Sequence, residues 1–197
     1  MIIEDTILEI QEIEVPNSRK EILDSIASYC KKQIAKNDQA QLNFICTHNS
    51  RRSQLAQVWA FVFAKYYNLP IQAFSGGIEV TAFYSSGVEV LQSTGLKITN
   101  YEGVNPKYTV HYQGDVLNCW SKLYNDKQNP KSSFAAIMTC SHADDNCPLV
   151  SGSDLRIPLT YLDPKIADGS AEEIKKYHER SLQIASEMNY LFSKVDT

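Results

Sequence analysis

Leu42-Asn-Phe-Ile-Cys46-Thr-His-Asn-Ser-Arg-Arg-Ser53 is the stretch on which the fold turns. Leu42 to Ile45 reads as a short buried strand that runs straight into the polar segment Cys46–Ser53. Gln54 to Tyr67 then reads as a helix, with Leu55, Val58, Trp59, Val62 and Phe63 along one side. In a strand, short polar loop and helix of this kind, the loop amides and the first helical turn converge on one point. That point favours an anion, and the same field favours the thiolate of a cysteine placed there.

The side chains of the segment suit that use. Cys46 is the candidate nucleophile. Arg52 lies six positions on, and its planar fork matches two oxygens of a tetrahedral oxyanion. Ser53 can donate a hydroxyl hydrogen bond to the thiolate, and Asn49 tolerates the left-handed conformation that a tight cradle needs. The expected oxyanion loop is therefore Thr47, His48, Asn49, Ser50, Arg51, Arg52 and Ser53. The plainer alternative, a core cysteine beside a surface arginine, leaves the thiol without use.

Working outward, Ser18-Arg-Lys-Glu21 has capping-box spacing and predicts a helix to about Lys36, with Ile22, Leu23, Ile26, Cys30 and Ile34 on one side. Ile71 to Phe74 reads as a second strand stopped by Gly76-Gly77, and Ser85 to Ser93 as a helix stopped by Gly95. Phe134 to Thr139 is a third strand, leading into Cys140, and Leu155 to Tyr161 a fourth, leading into Asp163-Pro164. Ser170-Ala-Glu-Glu173 predicts a long C-terminal helix carrying Ile174, Tyr177, Leu182, Ala185, Met188, Leu191 and Phe192. Strands alternating with helices give a parallel α/β sheet with helices on both faces. Lys107 to Ser133 is the least legible part, with one candidate strand at Tyr108–Tyr112.

In a parallel sheet the strand ends gather at one edge. Asp163-Pro164 in isolation is a turn signal, but at that edge Asp163 can protonate a leaving oxygen. Cys140 emerges at the same edge, where a second thiol can resolve a reacted Cys46 and Cys147 can relay the disulfide outward. A zinc site using Cys140, His142 and Cys147 is a rival reading, although the spacing follows no standard zinc pattern. Cys119 has no such placement and reads as structural.

Composition bounds the rest. With 197 residues, 43% of them hydrophobic and 21% charged, the chain suits one soluble domain. No apolar run approaches the ~20 residues of a membrane span, and the acidic Met1–Pro16 does not suit a signal or transit peptide. A cytoplasmic location without membrane attachment is expected. The net charge of −4 argues against a nucleic-acid partner, while a local nest can still bind a small anion. Five cysteines, an odd number, point away from a secreted disulfide framework.

Together, Cys46-Thr-His-Asn-Ser-Arg-Arg-Ser53, Asp163-Pro164 and the strand–helix order resemble the low-molecular-weight protein tyrosine phosphatase superfamily. Cys140-Ser-His-Ala-Asp-Asp-Asn-Cys147-Pro148 resembles, within it, the thioredoxin-coupled arsenate reductase branch. The likeness covers Leu42 to about Phe192. It implies a central four-stranded parallel sheet with the phosphate-binding loop after its first strand. Residues 1–40 are expected to be an N-terminal helical extension, and residues 41–197 the phosphatase-like α/β domain with an insertion around 107–133. It also implies Cys46 as nucleophile, Arg52 as anion-binding arginine, Asp163 as general acid, and Cys140 and Cys147 as the redox pair. No metal and no organic cofactor is implied.

Three positions depart from the family. His48 stands in place of glycine, Arg51 in place of a second cysteine, and Gln57 in place of a glutamate that helps to hold a potassium ion. The reading is arsenate reduction to arsenite, with thioredoxin or a similar dithiol as reductant. The alternative is hydrolysis of phosphate esters through a phosphocysteine. Lys165 and Ile166, where tyrosine phosphatases place aromatic residues, weigh against protein substrates. A non-catalytic oxyanion or redox sensor has no need of a placed general acid.

Overall fold

The computed structural model describes residues 2–146 and 149–196; Cys147 and Pro148 lie outside the described residues. Four strands, β1 (Ala40–Cys46), β2 (Ile71–Gly77), β6 (Phe134–Met138) and β7 (Ser153–Pro158), form a parallel sheet in the order β2-β1-β6-β7. A separate antiparallel sheet joins β3 (Lys97–Tyr101), β4 (Lys107–Tyr112) and β5 (Asp115–Cys119). The helices are α1 (Ile3–Gln11), α2 (Asn17–Asn37), α3 (Arg52–Tyr66), α4 (Ser85–Ser93), α5 (Ser141–Asn146) and α6 (Glu173–Asp196).

β1 sends Leu42 and Phe44 to one face and Ile45 to the other, following the two-residue alternation of a strand, while Cys46, the last residue of the strand, leaves the alternation and joins the cluster of Ile45. On the first face, α2, α3 and α6 close one continuous core with Ala135 and Ile137 of β6. The second face carries a smaller cluster of Ile45, Phe134, Ala136, Met138, Cys140 and Val150, covered by α5. α3 is buried without interruption from Ser53 to Ala64, not only along the one side that its periodicity marks, because sheet and α6 enclose it. Among the described residues no helix is long and apolar enough to cross a membrane.

Several sequence expectations need correction. The expected N-terminal helix is present as α2, and a further helix precedes it; α1 forms because Ile3, Ile7 and Ile10 bury one side while its acids stay outside. The Ser18 capping box does not form, since the helix starts at Asn17 with Pro16 at its cap and no side-chain bond there. At the C-terminal helix the box is shifted: Glu173 accepts from Gly169 N–H, while Ser170 donates its hydroxyl to Ala167 O. Ile174 lies on the exposed side. β2 does not stop at its glycines but runs through Gly76 and Gly77, where Gly77 pairs with Cys46.

Candidate functional site

The strand order decides where the chemistry gathers. The chain leaving β1 returns to the sheet at β2 and the chain leaving β6 returns at β7, on opposite sides, which opens a crevice at the carboxyl ends of β1 and β6. Cys46 is the last residue of β1. The ladder continues past the strands, with Thr139 N–H donating to Ile45 O (2.7 Å) and Tyr161 N–H to Thr139 O (3.1 Å). Cys140 and Asp163 therefore arrive at the same edge as Cys46. Cys46, Thr47, His48, Ser50, Arg51, Arg52 and Asp163 line one small cup there.

Hydrogen bonds hold Ser53 against Cys46. Lys122 N–H donates to Asn49 Oδ1 (3.0 Å), which leaves the Asn49 amide nitrogen to donate to Ser53 Oγ (2.8 Å). Ser53 Oγ lies 3.0 Å from Cys46 Sγ, and toward a thiolate, which can only accept, its hydroxyl is the donor. Asn49 takes a left-handed φ of 47°, a conformation that asparagine tolerates better than most residues. His48 is not among the positive-φ residues, so the loop accommodates a side chain where glycine is usual. Its imidazole meets Glu79 at 3.2 Å.

Arg52 and Asp163 pair across the cup. Nη1 of Arg52 donates to Tyr161 O at 2.9 Å and Nη2 to Asp163 Oδ2 at 2.6 Å. The Arg51 guanidinium is committed elsewhere, donating to Tyr177 and Asp168 and lying 4.2 Å from the Tyr84 ring centre. What Arg51 offers at the cup is therefore backbone. Among the described residues, no group accepts from the backbone N–H of Asn49, Ser50 or Arg51. Gln57 uses both ends of its amide inside the chain, on Ala73 O and Ser75 Oγ.

Cys140 is buried, with its sulfur 3.5 Å from Thr47 Oγ1 and accepting from Ala143 N–H at 3.3 Å. Thr47 Oγ1 also lies 3.2 Å from His142 Nδ1. Cys147 falls outside the described residues. Cys119 is fully buried, and burial pushes its thiol up to about 12.

The sequence gives no sign of the brace behind the loop. Ser121 Oγ donates to His48 O (2.8 Å), Gln54 donates to Trp120 O (2.9 Å), and Gly77 N–H donates to Lys122 O (2.8 Å). The chain leaving the second sheet thus locks both the loop and the end of β2. Beside the cup opens a cleft of about 530 Å³ whose walls include Phe83, Tyr84, Pro106 and Tyr108, with His48, Arg51 and Lys165 also lining it.

No protein-family model matches the chain. Arsenate reductase 2 of Staphylococcus haemolyticus is 31% identical over 113 residues, covering 57% of this chain and 70% of that protein. Among solved structures, a low-molecular-weight phosphotyrosine phosphatase of Vibrio cholerae aligns with a TM-score of 0.53 at 14% identity, over 78% of this chain and 95% of its own. An arsenate reductase in a phosphate-binding state aligns with a TM-score of 0.51 at 17% identity, over 79% of this chain and 98% of its own. At these identities the two structures establish the fold.

Proposed function

The chain belongs to the arsenate reductase family, and we propose that it reduces arsenate to arsenite with Cys46 as nucleophile and Cys140 and Cys147 as the relay. The observation that carries the proposal is the meeting of Cys46, the Arg52–Asp163 pair and the Cys140 sulfur around one loop. Arsenate replaces the Asp163 carboxylate on Arg52 and takes the unengaged N–H groups of Asn49, Ser50 and Arg51. Ser53 stabilises negative charge on Cys46, which attacks arsenic, and Asp163 protonates the departing oxygen. Cys140 then attacks Cys46 and releases arsenite. Cys147 attacks Cys140, leaving a Cys140–Cys147 disulfide for thioredoxin or a similar dithiol to reduce. The scheme uses no metal and no organic cofactor.

The apolar cleft beside the cup favours a second reaction, hydrolysis of phosphate monoesters through a phosphocysteine on Cys46, with the organic group lying against Tyr84 and Tyr108. One preparation tests both, by thioredoxin-dependent arsenate reduction and by aryl phosphate hydrolysis. Cys140→Ser is expected to abolish reduction and spare hydrolysis, which needs only Cys46, Arg52 and Asp163. Reduction at the wild-type rate in both Cys140→Ser and Cys147→Ser would remove the relay and leave the hydrolase reading.

A further inference from the structure

The second chemical step needs Cys140 as a thiolate, yet Cys140 is buried, with 1% of the residue exposed, away from water that could take its proton. One hydroxyl connects it to the outside. Thr47 Oγ1 lies 3.5 Å from Cys140 Sγ and 3.2 Å from His142 Nδ1, and His142 is exposed. A hydroxyl can accept one proton while donating its own, and a neutral imidazole with its hydrogen on Nε2 accepts at Nδ1. We infer that Thr47 and His142 form a proton route that converts Cys140 into the attacking nucleophile. The inference rests on the reductase reading and assigns the proton of its second step.

The step balances. The Cys140 thiol proton passes to Thr47 Oγ1 as the Thr47 hydroxyl proton passes to His142 Nδ1. The Cys140 sulfur attacks Cys46 Sγ, and the sulfur–sulfur bond forms as the Cys46–arsenic bond breaks. The electron pair of that bond stays on arsenic, which goes from the +5 to the +3 state, while the two sulfurs are oxidised to a disulfide. The Ala143 N–H, 3.3 Å from Cys140 Sγ, steadies the charge on the thiolate before attack. His142 touches no reacting atom in this scheme; it acts through Thr47 as a positioning and proton-accepting residue.

The test uses the full chain carrying Cys147→Ser, which traps the Cys46–Cys140 bond, and follows a single turnover with arsenate by rapid quench and peptide mass mapping. His142→Ala is expected to slow appearance of that bond by roughly 10²-fold, with imidazole in the buffer restoring much of the rate. His142→Gln is expected to be as slow as His142→Ala, since glutamine can fill the hydrogen bond but takes no proton. Arsenate should protect Cys46 from alkylation as well in His142→Ala as with His142 intact, because His142 lies outside the anion loop. A wild-type rate in His142→Ala or in His142→Gln overturns the route, as does a slow His142→Ala that imidazole cannot restore. Absence of the bond with His142 intact sinks the reductase reading, and the route with it.

Discussion

At the scale of single residues the site is a set of committed hydrogen bonds, and two of them can be tested alone. Ser53 accepts from Asn49 at 2.8 Å and lies 3.0 Å from Cys46, and when Cys46 is a thiolate, which has no hydrogen to give, the Ser53 hydroxyl donates to it. A hydrogen bond to a charged acceptor contributes about 1.5–3 kcal/mol. Ser53→Ala is therefore expected to slow iodoacetamide alkylation of Cys46 near neutral pH by roughly tenfold or more; an unchanged rate would take Ser53 out of the account. Lys122 presents the opposite case. Its side chain is buried, its ammonium has no hydrogen-bond partner among the described residues and lies 4.4 Å from the Trp120 ring centre, and burial lowers its pKa to about 8. The unfolded chain holds this proton up to about pH 10.5, so below pH 8 the folded state carries the full cost of a buried cation. Between pH 8 and 10.5 that cost fades as the folded amine is neutralised. Lys122→Met should thus stabilise the protein by a few kcal/mol, roughly 3 at most, at pH 7, and by much less at pH 10. Urea midpoints of both proteins at the two pH values measure the gap; a gap that widens with pH contradicts the sign.

At the scale of elements, what was legible in the sequence follows burial. β1 and β6 are short apolar runs, and α4 ends where its valines and leucine stop, so its limits match Ser85–Ser93. The second sheet was largely unreadable because its strands bury so little: β3 is mostly exposed and β5 buries only Cys119. Its hairpin turns at Gln113-Gly114, both at positive φ, as a two-residue turn of this hand requires, but Gln-Gly is a weaker signal than Asn-Gly. The loop from Cys46 to Ser53, between β1 and α3, was legible as a motif, whereas its brace was not, since Ser121 and Lys122 meet the loop only through tertiary structure. The end of β2 shows how tight that meeting is. A Cβ on Gly77 would lie 2.6 Å from Glu79 O, 2.7 Å from Asn49 N and 2.8 Å from Thr47 O, all backbone atoms. Only a shift of the loop can relieve this. Gly77→Ala should leave a folded protein, destabilised by about 1–3 kcal/mol, that has lost the phosphate protection of Cys46 from alkylation expected of the wild type. Equal protection in both proteins would mean that the loop's geometry does not depend on this contact.

At the scale of the whole molecule, the N-terminal helices are wired to the loop after β1 through Arg52. α1 and α2 both pack on α6, and α2 also reaches β1 and β7. From the first turn of α2, Arg19 donates through Nε and Nη2 to the two oxygens of Glu187 on α6, each at 2.8 Å, and through Nη1 to Thr160 O at 3.0 Å. Tyr161 donates its hydroxyl to the same Glu187 at 2.8 Å, and its carbonyl accepts from Arg52 at 2.9 Å. The path from Arg19 to Arg52 thus needs one carboxylate and one tyrosine. The Glu187 side chain is 1% exposed, so removing its arginine leaves a buried charge held by neutral groups, a loss of about 3–5 kcal/mol for broken pairs of this kind. Replacing both partners by apolar groups is far milder, because no charge is then stranded. Arg19→Met is accordingly expected to lower stability by about 3–5 kcal/mol and to weaken phosphate protection of Cys46, as Tyr161 and Arg52 lose their fixed anchor. The double variant Arg19→Met with Glu187→Leu should recover most of the stability, giving a coupling energy of about 0.5–3 kcal/mol in a denaturation cycle. Recovery of stability without recovery of phosphate protection would locate the anchor in the ion pair itself. Simple addition of the two single losses would show that α2 is bound to the domain by its apolar side alone, and that the path to Arg52 carries no energy.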